Sequence, residues 1–236
     1  MLAGQYFSRL LCGEDLLPEA RLASCAEALL ALNFNAKFAV PPDEVSADLE
    51  HFSDFSWLPY VEAFGLTALA LSRGAAVLPL WEKMMRSVER DGASVADTRL
   101  MYRPLSGAPA WGAYYMTAPA SWLVYDALLD FSFMPEDEVL RLAPTLKGTF
   151  AVVHPLFWGV GSCDGTTTTL TFERVFRRNV IRIHFIELPR HIREISVCGS
   201  VIRPTLIRGA YAQFRIATLE VQSGLKLTWC ATEPWK

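Results

Sequence analysis

Residues Ala108–Pro144 read APAWGAYYMTAPASWLVYDALLDFSFMPEDEVLRLAP, and one kind of sequence pattern ends here while another begins. An aromatic loop in a Gly/Ala/Pro-rich setting leads into an apolar helix, which hands over to the first strand of an all-β tail. Trp111, Tyr114, Tyr115 and Trp122 sit in this setting, which leaves their rings uncovered until another surface or a ligand covers them. Aromatic faces beside hydroxyls and amides suit a sugar, whose C–H faces are apolar and whose edges are polar. Two readings stay open for these rings: a sugar-facing wall, or a plug of core between two domains.

Upstream of this stretch the apolar residues recur at helical spacing. Leu2–Leu11 fits a short helix stopped by Gly13. Pro18 suits the first turn of a second helix, with Leu22, Cys25, Ala26, Leu29 and Leu30 on one side. The pattern is lost from Asn33 to Phe55, a long excursion of the kind on which sites are often built. A helix is expected over Ser56–Arg73 with Val61, Phe64, Gly65, Ala68 and Leu71 buried. Its partner runs over Ala75–Arg90 through Leu78, Trp81, Met84, Met85 and Val88, with Gly74 between them. Ser94–Met116 forms a second long loop, and Pro119 opens the last helix, which runs to about Asp130.

Downstream, after Pro135, the alternation becomes that of strands. Ile181, Ile183 and Phe185 alternate with Arg182, His184 and Ile186, and Phe214 and Ile216 with Arg215 and Ala217. Leu225, Leu227 and Trp229 alternate with Lys226 and Thr228. Turn residues at 163–165, 177–179, 198–200, 208–209 and 223–224 arrive at the spacing of an antiparallel sandwich. The expected fold class is therefore α+β in two parts: helical hairpins over residues 1–134, then an antiparallel β-sandwich over 135–236. Two hairpins and one further helix, apolar across much of their surface, cannot enclose a core alone. They call for a partner chain or a larger ring against the helical face.

Of the 236 residues, 52% are hydrophobic and only 20% charged, so the chain is apolar for its length. No run of about 18 apolar residues lacks a charge or a breaker, which argues against a membrane span. A net charge of −3 offers no electrostatic case for nucleic acid. Five scattered cysteines, never spaced as CxxC, favour a reducing compartment over a disulfide framework or a zinc site, and cytoplasmic localisation is expected. The first residues lack the basic n-region of a leader, and the chain reads as beginning inside a structural element.

The motifs resemble, in order, those of the glucosylceramidase and bile-acid β-glucosidase group of glycoside hydrolases. Leu2-Ala3-Gly4-Gln5-Tyr6 resembles the group's "LAGQW" helix start. Leu16-Leu17-Pro18 with Ala28-Leu29 and Asn33 resembles its "LP…AL…N" helix, and Trp57 with Tyr60 its "W…Y…A" segment. Residues 115–122, YMTAPASW, are similar to "YMRPLAIW". Leu128–Pro144 resembles the close of many six-hairpin glycosidases. The resemblance covers about residues 2–160. It implies that the helical part is a partial (α/α)6 toroid and that the parent activity is hydrolysis of a β-glucoside-like substrate. In the group the nucleophilic glutamate and the acid/base aspartate precede the "LAGQ" helix, so no residue here inherits a catalytic role. The sugar-holding arginine of "YMRP" falls on Thr117, and the "PE" glutamate on Leu105.

Glycoside hydrolysis generally uses two carboxyl groups about 5 to 10 Å apart. Glu62 and Asp126 lie in apolar helical surroundings that raise a carboxyl pKa, although such groups are more often satisfied structurally. Asp54, in a loop beside Trp57, is either a pocket residue or a helix cap. His51, His154, His184 and His191 share no metal-ligand spacing, and no nucleotide or dinucleotide fingerprint is present, so neither metal nor cofactor is expected. The expected substrate-binding set is Asp54, Trp57, Tyr60, Tyr102, Arg103, Trp111, Tyr115 and Thr117, with Trp122 as a further wall residue and a carbohydrate or glycoside as ligand. The alternative is a non-catalytic carbohydrate-binding or scaffolding protein.

Overall fold

The structure is a computed structural model that describes residues 4–5, 7–9, 14–90, 99–112, 120–176 and 180–231. It is mixed α+β, with few helices and several largely antiparallel sheets. The chain separates into two compact units: Met1–Phe7 with Leu16–Ala127, and Ser8–Asp15 with Leu128–Lys236. Four described cysteines, Cys25, Cys163, Cys198 and Cys230, are free thiols.

In the first unit, helix α1 (Glu19–Ala31) starts after Pro18 and has Ala26 buried, while the rest of its apolar side is only partly covered. Strand β1 (Ser56–Trp57) occupies residues expected to be helical, because they pair with β2 (Met101–Tyr102), which pairs in turn with β3 (Pro109–Trp111). Helix α2 (Leu58–Tyr60) follows at once. It continues as a π-helical segment over Val61–Leu66 and then as α3 (Thr67–Arg73). A π turn holds more residues than an α turn, so it rotates the face that follows. The expected inward set accordingly moves: Leu66, Leu69 and Ala70 are buried, Phe64 is turned outward, and Gly65, Ala68 and Leu71 are only half-covered.

Gly74 ends α3 at φ 56°, a backbone conformation that costs other residues more. A 3-10 turn over Gly74–Val77 then enters α4 (Leu78–Arg90), which buries Met84 and Val88. By length and composition alone the helical stretch Leu58–Glu89 is apolar enough to cross a membrane. It is, however, broken at Gly74. Helix α5 (Ala120–Leu129) closes the helical run.

The second unit contains two sheets. One has the strand order β11-β10-β14-β8-β7-β6 and the other β12-β13-β9-β5-β4. The six-stranded sheet is built from β6 (Gly148–His154), β7 (Phe157–Cys163), β8 (Thr167–Val175), β10 (Ile195–Val197), β11 (Ser200–Ile202) and β14 (Lys226–Ala231). The five-stranded sheet comprises β4 (Ser132–Met134), β5 (Val139–Arg141), β9 (Ile181–Pro189), β12 (Leu206–Arg208) and β13 (Tyr211–Val221). Alternate residues of β7 are buried, as a sheet with one covered face requires. Phe133 of β4 lies 5.5 Å from Phe157 of β7, so the inner faces of the two sheets meet around aromatic rings.

Strand β9 departs from the expected alternation. The N–H groups of His184 and Phe185 both donate to the carbonyl of Glu138, at 2.8 and 3.1 Å. Two consecutive residues thus answer to one, the residue just before β5, a bulge that exchanges the two faces. Ile181 and Ile183 are buried before it and Ile186 and Leu188 after it, leaving Phe185 half-covered.

A buried polar cluster also belongs to this unit. The Tyr211 hydroxyl donates to Asp130 Oδ1 at 2.7 Å and accepts from Arg9 Nε at 3.0 Å. The Arg141 guanidinium lies over the Tyr211 ring, pairs with Glu187 at 2.8 Å and donates to the Arg9 carbonyl at 3.1 Å. These contacts fasten Arg9 to strands far along the chain.

Candidate aromatic binding surface

The three short strands of the first unit position the aromatic residues. Trp57 stands opposite Met101, and Met101 opposite Trp111, so the three side chains share one face of the sheet. The neighbouring row, Ser56 and Tyr102, belongs to the other face. Ser56 is buried and donates its hydroxyl to the Pro41 carbonyl, and Tyr102 is 0% exposed, its hydroxyl accepting from the Arg99 N–H at 2.8 Å. Of the expected pocket residues, therefore, Tyr102 lies in the core, while Trp57 and Trp111 lie on the opposite, outward row.

From Trp57 the row continues onto the helix. Residues 57, 60 and 64 are spaced by three and four, which places them on one helical face. Trp57 and Tyr60 stack with centroids 5.4 Å apart and 11° between planes, and Tyr60 and Phe64 stack at 5.4 Å and 26°. The result is a surface strip, Trp111–Met101–Trp57–Tyr60–Phe64, in which Trp111 is 58% and Tyr60 51% exposed. Mutual stacking covers the inner ring faces. Open ring surface is left at the two ends and along the edges.

Beneath the strip, the same helical segment turns Glu62 inward, where it is 2% exposed. Its Oε1 accepts from Ser121 Oγ of α5 at 2.8 Å and from Trp81 Nε1 of α4 at 3.3 Å. One carboxyl therefore joins three helical segments. Burial pushes its pKa up to about 7, against the opposing effect of those two donors. Burial also raises Asp126 on α5 to about 6. Both groups can carry a proton near neutral pH, which is the electrostatic condition for a general acid.

The other expected residues are dispersed. Asp54 is exposed in a bend, and the Trp57 N–H at the helix start is met instead by Asp43 Oδ1 at 3.0 Å. Asp43 thus holds the backbone just before the helix without capping it, and partial burial raises its pKa. Arg103 lies over the Phe55 ring, 4.5 Å from its centroid. Trp122 is exposed on α5, edge-on to Tyr125 at 6.0 Å. Leu105, at the position of the resembled group's glutamate, is exposed. Tyr114, Tyr115 and Thr117 lie outside the described residues. Met101 and Phe64 complete the strip and were absent from the expected set. The spacing of Phe64 from Tyr60 would have supplied a signal, whereas nothing in the sequence marks Met101. Among the described residues no group of His, Cys, Asp and Glu could hold a metal ion.

Fold and surface together define a mixed α+β chain with an outward aromatic strip on its helical unit and a two-sheet β unit. No family model matches the chain, and no curated protein sequence matches it. Among solved structures it is similar to a GH127 β-L-arabinofuranosidase from Geobacillus stearothermophilus T6, at 11% identity and a TM-score of 0.33. That match covers 98% of this chain and 41% of the solved one, so this chain spans about two fifths of its length.

Proposed function

We propose that the chain forms part of a glycoside hydrolase acting on a β-glucoside-like substrate, and that its aromatic strip is a wall of the sugar-binding surface. The observation that carries this reading is the cross-strand row that sets Trp111 and Trp57 on one face and continues into Tyr60 and Phe64. Flat apolar rings with a phenol among them match the amphipathic surface of a sugar. They orient a ligand without performing bond chemistry. The helical unit is the partial toroid in this reading, and the half-covered apolar side of α1 is where the remaining helices or a partner chain would pack. The reaction needs two carboxyl groups flanking the scissile bond, which the remaining helices or a partner chain would supply, so the isolated chain binds sugar without turnover.

Titration calorimetry with a short β-linked gluco-oligosaccharide tests the proposal. Trp111→Ala and Tyr60→Ala should each weaken binding about tenfold, the loss expected for one ring contact. Unchanged affinity in both variants would refute the assignment of the strip. Turnover of an aryl β-glucoside by the isolated chain would refute the need for a partner.

A further inference from the structure

The outer face of the six-stranded sheet in the second unit carries a separate set of features. Across β6, β7 and β8, Val153, Trp158 and Arg174 stand side by side, and Trp158 is 52% exposed. Trp158 packs edge-on to exposed Phe176 at 5.1 Å, and the Arg174 guanidinium lies 5.5 Å from the Phe176 ring centroid. Further along the same face, Thr149, Ser162, Thr169 and Thr228 form a row of hydroxyls across four strands. Adjacent strands are about 5 Å apart, so that row runs for about 14 Å. Between the aromatic corner and the hydroxyl row, exposed Lys226 stands opposite Thr171. The registered positions of these rows thus contribute two cations and no carboxylate. Glu173, the extra residue at the irregularity between β7 and β8, adds one negative charge next to Arg174.

We infer that this face binds an extended acidic glycan, one whose sugar units bear carboxylates. Apolar sugar faces would lie against Trp158 and Phe176, the hydroxyl row would exchange hydrogen bonds with ring hydroxyls, and Lys226 and Arg174 would meet the carboxylates. A neutral glycan would give Lys226 no counter-charge, and an apolar protein surface would offer the Thr149 and Ser162 hydroxyls no partner, whereas those of Thr169 and Thr228 already bond each other at 3.1 Å. With Glu173 counted, the face keeps one net positive charge on a chain whose net charge is −3. This site is independent of the aromatic strip on the helical unit and does not rest on its assignment.

The test is affinity electrophoresis and calorimetry of the full chain with polygalacturonate, and with a neutral glucan for comparison. Binding to polygalacturonate should weaken as salt is raised. It should fall about tenfold in Trp158→Ala and several-fold in Lys226→Glu. Both changed side chains are exposed, and circular dichroism identical to wild type confirms that each variant is folded. No binding of polygalacturonate, binding of the neutral glucan that Trp158→Ala weakens equally, or full binding of polygalacturonate in Trp158→Ala would each overturn the inference. A self-associated chain that Trp158→Ala turns monomeric would do so as well, because a second copy would then be the occupant.

Discussion

Replacing Glu62 with glutamine keeps the shape and the acceptor oxygen that meets Ser121 and Trp81, and removes only the ionisation. Burial raises the wild-type carboxyl from 4.5 to about 7 in the folded chain. The folded state therefore holds a proton more tightly than the unfolded one over that interval. The contribution of this carboxyl to stability is greatest below pH 4.5 and is lost as pH rises through about 7, where it must ionise inside the protein. A shift of this size corresponds to about 3 kcal/mol. Urea unfolding followed by tryptophan fluorescence, at acidic and at mildly alkaline pH, should show wild type losing about that much stability relative to Glu62→Gln. The two proteins should be nearly equal at the acidic end. Parallel pH profiles would refute the claim that this carboxyl is driven toward its neutral form.

Other expectations follow from the β unit and from the second raised carboxyl. Asp126→Asn should likewise flatten the loss of stability as pH rises through about 6, read by the same unfolding titration. Tyr211→Phe removes the hydroxyl shared by Arg9 and Asp130 and should cost about 2 kcal/mol, with faster amide exchange at Ser8 and Arg9. Arg141→Met leaves the Glu187 carboxylate facing an apolar side chain and should cost about 3–5 kcal/mol, much of it recovered by pairing it with Glu187→Leu. Gly161→Ala would set a Cβ 2.1 Å from Phe150 Cε2, so a loss of about 1–3 kcal/mol in thermal unfolding is expected, with partial recovery on adding Phe150→Leu.

The parts of the fold legible in the sequence are those whose periodicity runs uninterrupted. Phe214 and Ile216 are buried and Arg215 and Ala217 exposed, as their alternation requires, and α1 begins at Pro18 and α3 ends at Gly74. Where one extra residue enters, the reading fails beyond it. The bulge at His184–Phe185 exchanges the faces of β9, and the π-helical segment at Val61–Leu66 turns Phe64 outward. Neither insertion has a residue signature, because each follows from backbone hydrogen bonds to a distant partner or to the next turn. For the candidate site, the aromatic residue types pointed toward Trp57, Tyr60 and Trp111. Their common row did not, since strands of two and three residues are too short to show alternation. The same shortness hid the core position of Tyr102. Asp43, whose carboxylate meets the Trp57 N–H, is 14 positions away in sequence, so Asp54 was the nearer candidate.

The clasp around Tyr211 sets a timetable for synthesis. Arg9 is made well before its partners: the side chain it bonds lies 202 positions later and the guanidinium that reaches its carbonyl lies 132 later. Until synthesis has passed Tyr211 the Ser8–Asp15 segment cannot complete its docking, while the intervening helices can already fold. An excised β unit starting at Leu128 would be missing one of its own pieces, and supplying a peptide spanning residues 8–15 in trans should restore part of its stability.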